Sequence, residues 1–157
     1  AHGVVMTTQW GWPIAECFHF IGLCLLFGTV GFFDLRMLGV ARGVPLRSLH
    51  RPIPFGIGGF AISAITGTMF VMTATDQYVH NPAFLTKLLL MVVAGLNMLL
   101  FYLLAARSVW LTAADDVPPL PARLFGLVSL LCWLGVMTCG RVITAYRPPA
   151  FYWCPWC

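Results

Sequence analysis

Residues 13–39 read PIAECFHFIGLCLLFGTVGFFDLRMLG, an apolar run that nevertheless carries Glu16, His19, Asp34 and Arg36. A helix needs about 20 apolar residues to cross a bilayer, and this run is longer. At about 100° per residue, Glu16 and Asp34 project from the same side of a helix, and His19 lies about 60° from both. A lipid-facing helix does not carry its ionisable groups in one stripe. The stripe is therefore expected to face the inside of a bundle, where charge is paired or binds a ligand.

The rest of the chain keeps this character. Of 157 residues, 60% are hydrophobic and 9% are charged, with a mean hydropathy of +0.87. Soluble domains carry roughly 25% charged residues. The expected fold is all-α: a single domain over 1–157, an integral membrane four-helix bundle with helices at about 13–39, 54–75, 83–110 and 122–145. Proline, glycine and polar residues break the segments between them, as in the Asn81-Pro82 pair. The N-terminal AHGVVMTTQWGW has no basic region ahead of a short apolar core, so no cleavable signal peptide is expected.

Charge sets the expected orientation. The connections after the first and third helices hold or adjoin Arg36, Arg42, Arg47, Arg51, Arg107 and Arg123, whereas the other side holds Lys87, Arg141 and Arg147. The positive-inside bias puts both termini outside, which is the periplasm for a bacterial inner-membrane protein. The net charge of +4 does not point to nucleic acid, because the cations sit in connections and not along one helix face. The expected surroundings are a lipid bilayer and a membrane or periplasmic protein partner. Gly59, Ser63 and Gly67 recur every fourth residue on the second helix, a small-residue face that lets another helix approach closely.

His19 is the first candidate for chemistry. Imidazole is a good axial ligand for haem iron, and bundle helices commonly build such sites between them. The plainer reading is a core histidine hydrogen-bonded to Glu16. Glu16-x-x-His19 also has the spacing of a carboxylate-bridged metal motif, but no second copy of it occurs in the chain. For a second ligand, His80 lies on the same side in a connection, and Met69 and Met72 offer thioethers that are more often core filler. Lys87 and Arg141 are placed to pair Glu16 or Asp76, or to hold haem propionates. Asp34 and Arg36 are read as a structural pair, with Arg107 or another neighbour.

Six cysteines add a soft-metal alternative. Cys17 and Cys24, and Cys132 and Cys139, are each seven apart on one helix face. If the first and last helices touch, the pairs have a chance to oppose each other; small-residue packing is the plainer account. Cys154-Pro-Trp-Cys157 lacks the following histidine of a c-type haem site. A disulfide or a metal-docking tip are its two readings. Serine-nucleophile, phosphate-loop and metalloprotease motifs are absent, so a soluble-substrate hydrolase is not indicated.

The run from His19-Phe-Ile-Gly-Leu to Asp34-Leu-Arg36-Met-Leu-Gly39 resembles a family of small bacterial membrane proteins. More distantly it resembles HemJ-type protoporphyrinogen oxidases and CopD-like copper-resistance proteins, over roughly the first three helices. In those relatives a histidine is followed near the inner end of the first helix by an arginine, and a later helix opens on a lysine. Here these match His19, Arg36 and Lys87. The resemblance implies haem b on His19, or copper handling. The HemJ-type helix that opens on the lysine also carries a histidine, whereas this chain reads Gly95-Leu-Asn97-Met98 there.

The expected function is that of a cytochrome-b-like membrane protein that binds haem b near the outer face and transfers electrons, as a subunit of a redox complex. The alternatives are a copper-binding or copper-transfer protein using Met69, Met72 and the cysteines, and a non-catalytic packing subunit.

Overall fold

The computed structural model describes residues 8–40, 42–110 and 116–146. All regular structure among them is helical. Helix α1 spans Gly11–Met37, followed by the short α2 (Leu46–Leu49) and then α3 (Ile53–Thr73). The short α4 (Thr75–Val79) leads to α5 (Pro82–Leu100), which runs on through a π-helical segment, Phe101–Ala105, into α6 (Ala106–Trp110). Helix α7 spans Leu120–Val142 and ends in a 3₁₀ turn, Ile143–Ala145. Four segments, Gly11–Met37, Leu46–Thr73, Pro82–Ala105 and Leu120–Ala145, are long and apolar enough to cross a membrane. The protein is an all-α, multi-pass membrane bundle suited to a lipid bilayer.

The long helices pack in the order α3, α1, α7, α5. Lipid removes the hydrophobic drive between helices, so their contacts depend on close approach of small residues. The buried positions of α3 include Gly56, Gly59, Ser63 and Thr66, and those of α7 include Ala122, Gly126, Ser129 and Cys132. Large side chains such as Leu103 and Leu104 point outward. A Cβ on Gly59 would lie 2.5 Å from the Gly22 carbonyl oxygen, and one on Gly22 would lie 2.5 Å from Ser63 Oγ. Gly135 brings α7 against Leu90 of α5 in the same way, at 2.7 Å. By contrast, α3 and α5 do not pack along their lengths.

Each end of the bundle is tied by a buried polar side chain. At the end that carries the termini, Asn81 caps α5 by accepting from the Ala83 and Phe84 amides, and its Nδ2 donates to the Ile143 and Tyr146 carbonyls at 3.0 Å each. This fastens the α4–α5 junction to the end of α7. At the opposite end Arg36, 0% exposed, donates through Nε to the Val44 carbonyl at 2.8 Å and through Nη2 to the Asp116 carbonyl at 3.4 Å. The connection it holds turns through Gly39 and Gly43, at φ +93° and +95°, a region that side-chain-bearing residues rarely adopt.

Candidate functional site

His19 sits on α1 against α3, half-buried. Its Nδ1 is 2.9 Å from Thr66 Oγ1. The Thr66 hydroxyl has one proton, and its own helix supplies two acceptors, the Ile62 carbonyl at 2.8 Å and the Ser63 carbonyl at 3.2 Å. Thr66 therefore accepts from His19, so Nδ1 carries the proton and Nε2 keeps its lone pair. Nε2 makes no hydrogen bond to any described residue. One turn away, Ser63 Oγ donates to the His19 carbonyl at 3.1 Å, which fixes the backbone as well as the ring. Phe70 and Phe20 meet the imidazole edge-on, at centroid distances of 5.7 and 6.4 Å. Gly67 leaves the flank of the ring open; a Cβ there would lie 3.5 Å from His19 Cε1.

Lys87 comes from α5 and is half-buried within electrostatic reach of His19. Its Nζ lies 3.7 Å from where a Gly140 Cβ would be, one residue before Arg141 on α7. The Lys87 ammonium makes no hydrogen bond or ion pair to a described residue, Glu16 and Asp76 included. The half of the bundle where α1 begins and α7 ends thus joins an imidazole with an available lone pair to a lysine that has no ion-pair partner among the described residues. That pairing suits an electron-pair acceptor that also carries acid groups.

Compared with family models, curated proteins and solved structures, the chain has no match.

The remaining candidates are distributed as follows. Glu16 is exposed, so the ionisable stripe of α1 does not face inward along its whole length. It lies within the first two turns of α1, where a carboxylate can reach the interface. His80 ends α4 at the terminus-bearing end, beside Asn81 and off the spanning helices. Met69 packs in an apolar cluster with Ala15, Phe70, Trp12 and Tyr78, whereas Met72 is exposed. Arg141 is exposed at the end of α7. Cys154 and Cys157 lie outside the described residues.

The first and last long helices do touch, yet the cysteines do not oppose each other in pairs. Cys17 and Cys24 are exposed on α1, and Cys132 is buried on α7. Among the described residues, no three His, Cys, Asp or Glu side chains gather as a metal cluster. Asp34 and Arg36 diverge as well. Arg36 binds loop carbonyls, Arg107 is exposed, and Asp34 turns into the bundle beside the Ser129 hydroxyl.

Two residues of this region were not expected from the sequence. Thr66 anchors the imidazole, and the signal for it was the hydroxyl three residues beyond Ser63 on the small-residue face. Asn81 looked like a helix breaker but is also a cap and a tie; an asparagine directly before Pro at the first helical position is the mark of that role.

Proposed function

We propose that this chain is a membrane-embedded, cytochrome-b-like electron-transfer protein in which His19 Nε2 ligates the iron of a haem b. The observation that carries the reading is the 2.9 Å approach of His19 Nδ1 to Thr66 Oγ1, from which the Nδ1-protonated tautomer follows. Metal-binding histidines characteristically donate their other ring N–H to an oxygen, which orients the ring and makes the ligand more basic. Lys87, with no counter-charge of its own, and Arg141 beyond it are suited to the haem propionates. Phe20 and Phe70 surround the imidazole with aromatic edges. When bound, the haem supplies one-electron iron redox chemistry. His19 holds the metal, Thr66 keeps the Nδ1 proton in place, and Lys87 balances acid groups.

The reading extends to setting. Arg42, Arg47, Arg51, Arg107 and Arg123 are all exposed at the end opposite the termini. That asymmetry favours termini on the periplasmic face of a bacterial inner membrane. His19 then lies toward the periplasmic side, where a membrane or periplasmic redox protein is the natural electron partner.

The test is a reduced-minus-oxidised visible spectrum of the detergent-purified full chain made with ample haem, read beside a pyridine haemochrome assay. Sharp b-type bands in the wild type that vanish in His19→Ala, with both proteins eluting as the same species, support the proposal. Absence of haem from the wild type, or bands that survive His19→Ala, overturns it.

A further inference from the structure

A second site lies in the other half of the bundle. An apolar cavity with about 950 Å³ of empty space, including its open mouth, is lined by residues from all four long helices. Its α1 wall starts at Leu26, about two turns beyond His19, so it is separate from the site above. Six of its lining residues are aromatic: Phe33, Phe60, Phe101, Tyr102, Phe125 and Trp133. Two features make it accessible and selective. Its walls include residues of both α3 and α5, the two long helices that do not pack on each other along their lengths. It also contains one charged side chain, Asp34.

Asp34 is 2% exposed. The Ser129 hydroxyl hydrogen-bonds the carboxyl group, but its Oδ2 is buried and has no hydrogen-bond partner among the described residues. The other polar groups lining the cavity do not neutralise it. Asn97 Nδ2 donates to the Phe125 carbonyl at 3.0 Å, and Ser129 is uncharged. Arg36, two residues along, is directed to loop carbonyls. An intramembrane carboxyl group is costly and is retained where something pairs it. Aromatic faces attract cations, more strongly when water is excluded.

We infer that the Asp34 cavity is a binding site for a lipophilic organic cation, whose charge Asp34 pairs and whose apolar body the aromatic walls enclose. The ligand enters laterally, between α3 and α5. This site does not depend on haem at His19.

Equilibrium dialysis of the detergent-solubilised full chain tests it, with tetraphenylphosphonium and tetraphenylborate as probes of matched shape and opposite charge. The expected result is saturable binding of one phosphonium per chain, at least 10-fold tighter than the borate. Asp34→Asn should abolish that preference and Asp34→Glu should retain it. Gly95 lines the cavity with nothing within 4 Å of where its Cβ would sit. Gly95→Phe should therefore block the phosphonium without touching the charge, which keeps the test decisive if Asp34→Asn does not fold. Equal affinity for the two probes, or a preference that survives Gly95→Phe or a folded Asp34→Asn, overturns the inference. The b-type bands of the same samples report on His19 separately.

Discussion

The seam between α1 and α3 and the gap between α3 and α5 share a helix, yet they are built in opposite ways. Along the seam Gly22, Gly59 and Ser63 bring the backbones so close that a single added carbon would meet its neighbour at 2.5 Å. That proximity places a threonine hydroxyl on a histidine ring. Beside the gap, Phe60 of α3 meets Trp133 of α7 with ring centroids 6.1 Å apart, and the small residue Gly135 draws α5 onto α7, not onto α3. In lipid, where apolar side chains gain little by leaving their surroundings, residue size decides whether helices close or stand apart. The closed region hydrogen-bonds the His19 ring; the open region leaves a cavity around a carboxyl group.

Adjacent glycines offer the strongest way to break this contrast. Gly59 faces the seam, whereas Gly58 has nothing within 4 Å of its would-be Cβ. Gly59→Leu overpacks the contact and should cost about 3 kcal/mol or more. Gly58→Leu should leave stability nearly unchanged. Thermal or denaturant unfolding in detergent checks the pair, and equal losses would refute the packing account.

Next in size is the anchor. Thr66→Val keeps the shape of the side chain but removes the acceptor for His19 Nδ1. Haem affinity should fall about 10-fold, the lower end for loss of a partner behind a metal ligand. Ser63→Ala removes the hydroxyl bond to the His19 carbonyl and should destabilise the fold by about 0.6 kcal/mol, typical of hydrogen bonds between membrane helices. It should leave haem affinity nearly intact, and unfolding together with haem titration separates the two variants. The smallest effect belongs to Gly28→Ala. Nothing surrounds that position, so stability should stay within about 0.5 kcal/mol.

Much of the architecture was legible because membrane spans are written in long apolar runs. Four helices long and apolar enough to cross a membrane are present, and the Gly59–Ser63 spacing marked the seam. Periodicity was a poorer guide to direction. It put Glu16 and Asp34 on one stripe, but the bundle covers α1 fully only toward its Asp34 end, so Glu16 is exposed. The cysteine repeats had the right spacing and the wrong face, since spacing does not say which side of α1 meets α7. The cavity could not be read from any single segment; it exists because one pair of helices does not pack. The π-helical Phe101–Ala105 segment was also hidden within a uniform apolar run. There Tyr102 shares a 2.9 Å hydrogen bond with His50. Such insertions often mark functional regions, and this one borders the Asp34 cavity.

In the proposed function, the seam presents His19 as a ready iron ligand. Haem titration of the haem-free full chain, followed at the Soret band, tests it most directly. The expected result is saturation at one haem per chain for the wild type, about 10-fold weaker binding in Thr66→Val, and no specific binding in His19→Ala. Identical titrations for the wild type and His19→Ala would contradict it.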